Sequence, residues 1–186
     1  MKVLIVCFAN TCRSPVAEAL LRESLESEST IEIASRGLAG GTGVTPEAMA
    51  RALESARVEL SAQGGLALER DEARAADLLL FMERRLLRDA VVMDPQLWPR
   101  SFTLREFARR GWLNPPEPEI ETFEQWRHLL HSTRTREELL GTDVSDDVVD
   151  PGLSGDESAF SAMIAELRDD VGRIAPLLTG WRSSAA

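Results

Sequence analysis

An α/β domain with a doubly wound parallel sheet is the fold this sequence predicts, on three observations. Residues 3–6 and 78–82 are short, unbroken apolar runs, as strands covered on both faces require. Longer stretches with apolar residues at helical spacing lie between and after them, so strand and helix signals alternate along the chain. At 186 residues the chain is long enough for one domain with a sizeable core.

The elements follow in order. Lys2-Val3-Leu4-Ile5-Val6 is the first strand. Ser14 is placed to cap the first helix and Pro15 to occupy its first turn. Val16, Ala17, Leu20, Leu21 and Leu25 then form an apolar stripe. Ile31 and Ile33 alternate in a second strand that ends near Ser35. Gly37, Gly40, Gly41 and Gly43 make the next stretch a flexible loop, until Thr45-Pro46-Glu47 opens another helix. Residues 78–82 are a third strand and residues 101–104 a short fourth. Residues 108–145 break this pattern and are expected to be an insertion in the single domain 1–186. Within them Asn114-Pro115-Pro116-Glu117-Pro118 is a rigid extended break, followed by a helix carrying Phe123, Trp126, Leu129 and Leu130. A second short helix covers residues 136–140. Two roles are open for this insertion: a surface elaboration packed by its own apolar residues, or a lid over the functional site. An acidic loop with Asp143, Asp146, Asp147 and Asp150 leads into a last helix over residues 156–178. Its Phe160, Met163, Ile164, Leu167, Val171 and Ile174 face the core.

Composition narrows the function. A net charge of −10 argues against general nucleic-acid binding and anionic membrane surfaces. No stretch approaches the ~18–20 apolar residues of a membrane span. Two cysteines in one short segment are too few for a disulfide scaffold, which points to a reducing cytoplasm. The residues before Cys7 lack the charged and apolar regions of a lipoprotein signal. His128 and His131 have no further ligands at zinc spacing, so a solvated helix face and no metal are expected. Gly41-Thr42-Gly43 lacks the third glycine of a dinucleotide fingerprint, and no cofactor is expected. The oligomeric state is open.

The chemistry concentrates where the first strand gives way to a helix. Five residues, Phe8-Ala9-Asn10-Thr11-Cys12, separate Cys7 from Arg13, and Ser14-Pro15 follows at once. A tight loop opening a helix turns a ring of backbone N–H groups toward one point, with the positive end of the helix dipole behind it. A thiol at the base of that ring is favoured as the thiolate. Arg13 can grip two oxygens of a phosphate at once. The combination is a nucleophile aimed at a bound oxyanion, and in such sheets ligands sit beyond the carboxyl ends of the strands, where Cys7 falls. A general acid is also needed for the departing oxygen. Asp150 is the one aspartate of the acidic loop followed by proline, and Pro151 stiffens its backbone. Asp94-Pro95 is a second such dipeptide, so that signal is weak alone. Cys12 is either core or the partner of Cys7 in a reversible disulfide that would protect the nucleophile from further oxidation.

With these residues in hand, the chain resembles the low molecular weight protein-tyrosine phosphatases. The segment from Val3 through Cys7, Arg13, Ser14 and Glu18 is similar to their phosphate loop and first helix. Ala34-Ser35-Arg36-Gly37, Leu60-Ser61, the stretch from Ala76 to Glu83, and Val149-Asp150-Pro151 with Gly155 resemble their later landmarks. The resemblance implies a flavodoxin-like three-layer sandwich with a four-stranded parallel sheet. It implies phosphate binding by Phe8, Ala9, Asn10, Thr11, Cys12, Arg13 and Ser14, and catalysis by Cys7, Arg13 and Asp150. It also implies that Ser14 and Ser35 hold Asn10 to shape the loop. The substrate would be a phosphorylated protein or a small phosphomonoester. Departures bear on the substrate: Ala9 and Gln63 stand where the family usually has glycine and often histidine. Gly40–Val44 and Gly152-Leu153 offer no pocket aromatics, and the chain has no tyrosine. Phe8, Trp112 and Trp126 are the candidates to replace them. Thr11 is similar to the residue at this loop position in the bacterial protein-arginine phosphatases, which makes that activity the alternative. An arsenate reductase relaying a disulfide outward would need a cysteine after Cys12, and there is none. A non-catalytic phosphate-binding module is the remaining reading.

Overall fold

A computed structural model describes residues 1–25, 30–41, 45–60, 64–117, 119–152, 155–179 and 181. Thr42, Gly43, Val44, Ser61, Gln63, Pro118 and Leu153, which entered the sequence reading, lie outside them. Four parallel strands, β1 (Lys2–Cys7), β2 (Glu32–Gly37), β3 (Leu78–Phe81) and β4 (Ser101–Thr103), form one sheet in the order β2-β1-β3-β4. Val3, Leu4, Ile5 and Val6 in β1 pair with Leu78, Leu79, Leu80 and Phe81 in β3, so the two apolar runs lie side by side at the centre.

Strand alternation sends these side chains to two cores. Val3 and Ile5 join helices α1 (Arg13–Ser24), α2 (Glu47–Ala56), α5 (Leu104–Leu113), α6 (Phe123–Ser132) and α8 (Glu157–Leu178) on one face. Leu4 and Val6 join α3 (Arg70–Ala75), α4 (Arg84–Met93) and α7 (Arg136–Leu140) on the other. The result is the three-layer α/β sandwich expected, with every strand end delivering its following loop to one edge.

Four local expectations change. The last strand stops at Thr103 rather than residue 104, because the Thr103 hydroxyl accepts from the Glu106 N–H at 3.2 Å. Glu106 in turn accepts from the Thr103 N–H, a reciprocal box that starts α5 at Leu104. Residue 108 falls in mid-helix in α5, where Phe107 and Ala108 are core residues. Trp126 in α6 is fully buried against Phe107, Phe123 and Trp181, so the segment after α5 packs into the main core rather than on itself. Gly37 closes β2 with its N–H donating to the Leu66 carbonyl at 2.7 Å, so it is an ordered strand end and not part of a flexible loop.

Candidate active site

Cys7 ends β1 and is buried. Its sulfur accepts two hydrogen bonds, from the Asn10 backbone N–H at 3.1 Å and the Ser14 hydroxyl at 3.0 Å. Ser14 therefore does not cap α1. Cys12 occupies the cap position, Ser14 lies within the first turn, and its hydroxyl turns to the sulfur instead. Both donors converge on the sulfur beside the N-terminus of α1.

The loop takes its shape from Asn10, which adopts a left-handed backbone (φ 51°), a conformation asparagine tolerates better than most residues. Its amide donates to Ser14 Oγ at 3.1 Å and Ser35 Oγ at 2.9 Å, and its side-chain oxygen accepts from the Leu66 N–H at 3.1 Å. Leu38 and Ala39 donate to the Cys7 and Phe8 carbonyls, so the chain beyond β2 lies flush against the loop. That approach leaves no space for a side chain: a Cβ on Gly37 would stand 2.8 Å from the Asn10 nitrogen, and one on Gly41 2.4 Å from the Ala9 carbonyl oxygen.

Arg13 is 2 % exposed and firmly aimed. Its Nη1 donates to Glu83 Oε1 at 2.7 Å and the Val148 carbonyl at 3.1 Å; its Nη2 donates to Asp150 Oδ2 at 2.6 Å. The structure thus brings Cys7, Arg13 and Asp150 into one cleft of about 300 Å³. Phe8, Ala9, Thr11, Cys12, Gly41 and Gly152 complete its lining. Burial and the charges of Asp150 and Cys7, opposed by Arg13, push the Cys12 thiol up to about 11. Both cysteines are free thiols.

The aromatic candidates separate. Phe8 lines the cleft and is 47 % exposed, with the Arg85 guanidinium 5.9 Å from its ring centre. Trp126 is in the core, and Trp112 lies in a groove between α5 and α8 with its indole N–H on the Arg173 carbonyl. His128 and His131 belong to α6, and no metal-binding cluster exists among the described residues.

Sequence reasoning gave no role to Glu83 and none to Arg84. Glu83 follows the end of β3, and that position at the carboxyl edge of a strand was the available signal. Arg84 ties the acid segment down. Its backbone N–H donates to Asp147 Oδ1 at 2.7 Å, and its guanidinium donates to the Asp143 and Glu138 carbonyls and to Asp146. Burial raises the Asp147 carboxyl despite that bond from Arg84.

The pattern for low molecular weight phosphotyrosine protein phosphatases matches residues 2–144. The chain belongs to this family. The low molecular weight protein-tyrosine-phosphatase Wzb of Escherichia coli (strain K12) is 37% identical over 97 residues, covering 51% of this chain and 63% of that protein's length. The probable low molecular weight protein-tyrosine-phosphatase EpsP of Ralstonia solanacearum is 31% identical over 130 residues, 66% of this chain and 83% of that one. Among solved structures, the YwlE arginine phosphatase from Geobacillus stearothermophilus superposes with a TM-score of 0.67 at 24% identity, over 95% of this chain and 92% of that one. The family pattern stops short of Asp150, so the match itself carries the Cys7–Arg13 loop but not the acid.

Proposed function

We propose that this chain is a cysteine-dependent protein phosphatase that hydrolyses phosphomonoesters, phosphotyrosine first among them, through a phosphocysteine. The observation that carries this is the meeting of the Cys7 sulfur, the buried Arg13 guanidinium and the Asp150 carboxyl in one cleft. The Cys7 thiolate attacks phosphorus, an S–P bond forms, and the P–O bond to the leaving group breaks. Asp150 gives its proton to the departing oxygen. Water then attacks the phosphocysteine, Asp150 takes its proton, and phosphate leaves as the thiolate is restored. The amides of residues 8–14 and the Arg13 guanidinium hold the equatorial oxygens throughout.

Arg13 is already paired with Asp150 and Glu83. Phosphate entering the loop competes with Asp150 for Nη2, which releases that carboxyl toward the leaving group while Glu83 keeps the guanidinium aimed. Phe8 supplies the exposed ring at the cleft mouth for an aryl ester. We place the enzyme in the reducing cytoplasm, where its two free thiols persist. The stretch from the end of α5 to residue 145 is taken as an insertion that braces the acid segment.

Thr11 supports phosphoarginine as a second substrate. Its side chain lines the cleft with its hydroxyl on the Ala9 carbonyl at 3.3 Å, and the YwlE structures share the fold. Turnover of phosphotyrosine and phosphoarginine peptides, side by side with an aryl phosphate, tests both. Cys7→Ser is expected to reduce all turnover to background. Unchanged turnover in that variant would overturn the nucleophile, and phosphate binding with no turnover by the parent would make the chain a binding module.

A further inference from the structure

Arg85 stands beside the cleft and has no part in the phosphatase chemistry. It is the second residue of α4, the helix that follows β3 and so begins at the edge of the sheet where Cys7 lies. Arg84 and Arg85 put two cations into a helical first turn that holds no acidic residue. The positive end of the helix dipole disfavours cations there. Arg84 is accounted for by its bonds to Asp143, Glu138 and Asp146. Arg85 is not.

The Arg85 side chain is 53 % exposed and donates no hydrogen bond among the described residues. Two carboxylates stand near it, Glu83 Oε2 at 3.6 Å and Asp89 Oδ2 at 3.9 Å, both beyond hydrogen-bond range. Glu83 gives its other oxygen to Arg13 at 2.7 Å. Asp89 follows Arg85 by four residues, the weaker order for a helical ion pair. Exposed pairs this loose contribute little, so a carboxylate arriving from solvent can take the guanidinium at small cost. The remaining neighbour is Phe8, whose ring lines the cleft and has its centre 5.9 Å from the guanidinium.

That position defines what Arg85 can reach. It does not line the cleft itself, so the phosphoryl group belongs to Arg13. It flanks the ring against which an aryl ester would lie. In an extended peptide, residues one and two places from a phosphotyrosine stand about 3–7 Å further along the chain. The spacing between the Phe8 ring and Arg85 falls in that span. The net charge of −10 repels acidic peptides at long range, and a cation at the mouth reverses that locally.

We propose that Arg85 is a specificity-determining residue, which selects phosphotyrosine peptides with glutamate or aspartate next to the phosphorylated residue. The flanking carboxylate pairs with Arg85 while Phe8 receives the aryl ring; this rests on the phosphatase reading of the cleft. Two phosphotyrosine peptides test it, one with glutamate at the two positions on either side and one with glutamine there. At low ionic strength the parent should show kcat/KM about 2- to 5-fold higher for the acidic peptide, the scale of an exposed ion pair. Added salt should erode the difference. Arg85→Gln should bring the ratio to one, Arg85→Glu should invert it, and Arg85→Lys, which keeps the charge, should retain most of it. Arg57→Gln removes one positive charge from an exposed site in a groove that shares no residue with the cleft, and should leave the ratio as in the parent.

Binding of the two peptides to Cys7→Ser reads the same preference without turnover, which separates the two ideas. A parent that hydrolyses neither peptide nor an aryl phosphate would overturn the phosphatase reading, while an acidic preference in binding that Arg85→Gln removes would still support the role of Arg85. A parent ratio of one at low salt would overturn the proposal. So would an equal fall for both peptides in Arg85→Gln, which would make Arg85 only a brace for the Phe8 ring, or an equal loss of preference in Arg57→Gln, which would make the effect one of bulk charge.

Discussion

The loop carrying Cys7 is braced by its own residues and by the end of β2, whereas the segment carrying Asp150 is braced by arginines from three helices. Asn10, Ser14 and Ser35 close a buried, uncharged network beneath the sulfur. Asp150, Val148, Asp147 and Asp146 instead depend on Arg13 of α1, Arg84 of α4, and Arg105 and Arg109 of α5. A nucleophile must hold one geometry through both chemical steps, so short neutral hydrogen bonds suit it. Under the proposed mechanism Asp150 leaves Arg13 when phosphate arrives, which needs a tether that holds the segment yet lets one carboxyl move. The contrast implies that the two sides of the cleft can be damaged separately.

The largest break in that comparison is Asp150→Asn, which should slow turnover of an ester with a poor leaving group by roughly 10²–10⁴-fold. Alkylation of Cys7 by iodoacetate should continue. Equal loss of both would mean that the two sides are not separable. Arg84→Met is the sharper test, since Arg84 touches no reacting atom. Displacement of the acid segment should lower kcat by up to about 10²-fold with little change in phosphate inhibition, and a kcat equal to the parent's would show that Arg105 and Arg109 suffice. On the other side, Asn10→Ala leaves the Ser14 and Ser35 hydroxyls and the Leu66 N–H short of a partner. It should destabilise the fold by about 2 kcal/mol in urea unfolding and disable the loop at once.

The smallest effect is a pH dependence. The Cys12 thiol ionises near 9.0 when unfolded and at about 11 when folded, raised first by burial and then by Asp150. The folded state holds that proton more tightly, so this contribution to stability is complete below the unfolded value. It is lost as pH rises through the folded one. Stability should therefore fall between pH 9 and 11. In Cys12→Ser that part of the decline should disappear. Iodoacetate at neutral pH should label Cys7 and spare Cys12, whose thiol is pushed up to about 11; equal labelling would contradict that rise.

The two sides also differ in how far they were legible. The Cys7–Arg13 spacing announces the loop because strand, loop and helix start are consecutive, and Asp150 is marked by Pro151. Glu83 and the Val148 carbonyl were not legible as Arg13 partners, since they lie 70 and 135 positions from it and meet it only through the order of strands. Ser14 misled for a related reason. Next to Pro15 it reads as a cap, but a sulfur one turn below takes its hydroxyl, and Cys12 is left at the cap without a side-chain bond. Gly37 reads as flexibility and proves to be close approach, because the chain that would collide with a side chain there is residues 8–10.

What the sequence determined by itself is whatever neighbours in the chain can settle. Apolar runs choose strands, capping pairs such as Thr103 with Glu106 start helices, and five residues between a thiol and a guanidinium make an anion cradle. Tertiary structure decided which charges meet: Arg13 with Glu83 and Asp150, and Arg84 with the acid segment. The reason is that a buried charge is governed by what surrounds it in space, and in a parallel sheet those surroundings arrive from distant crossovers.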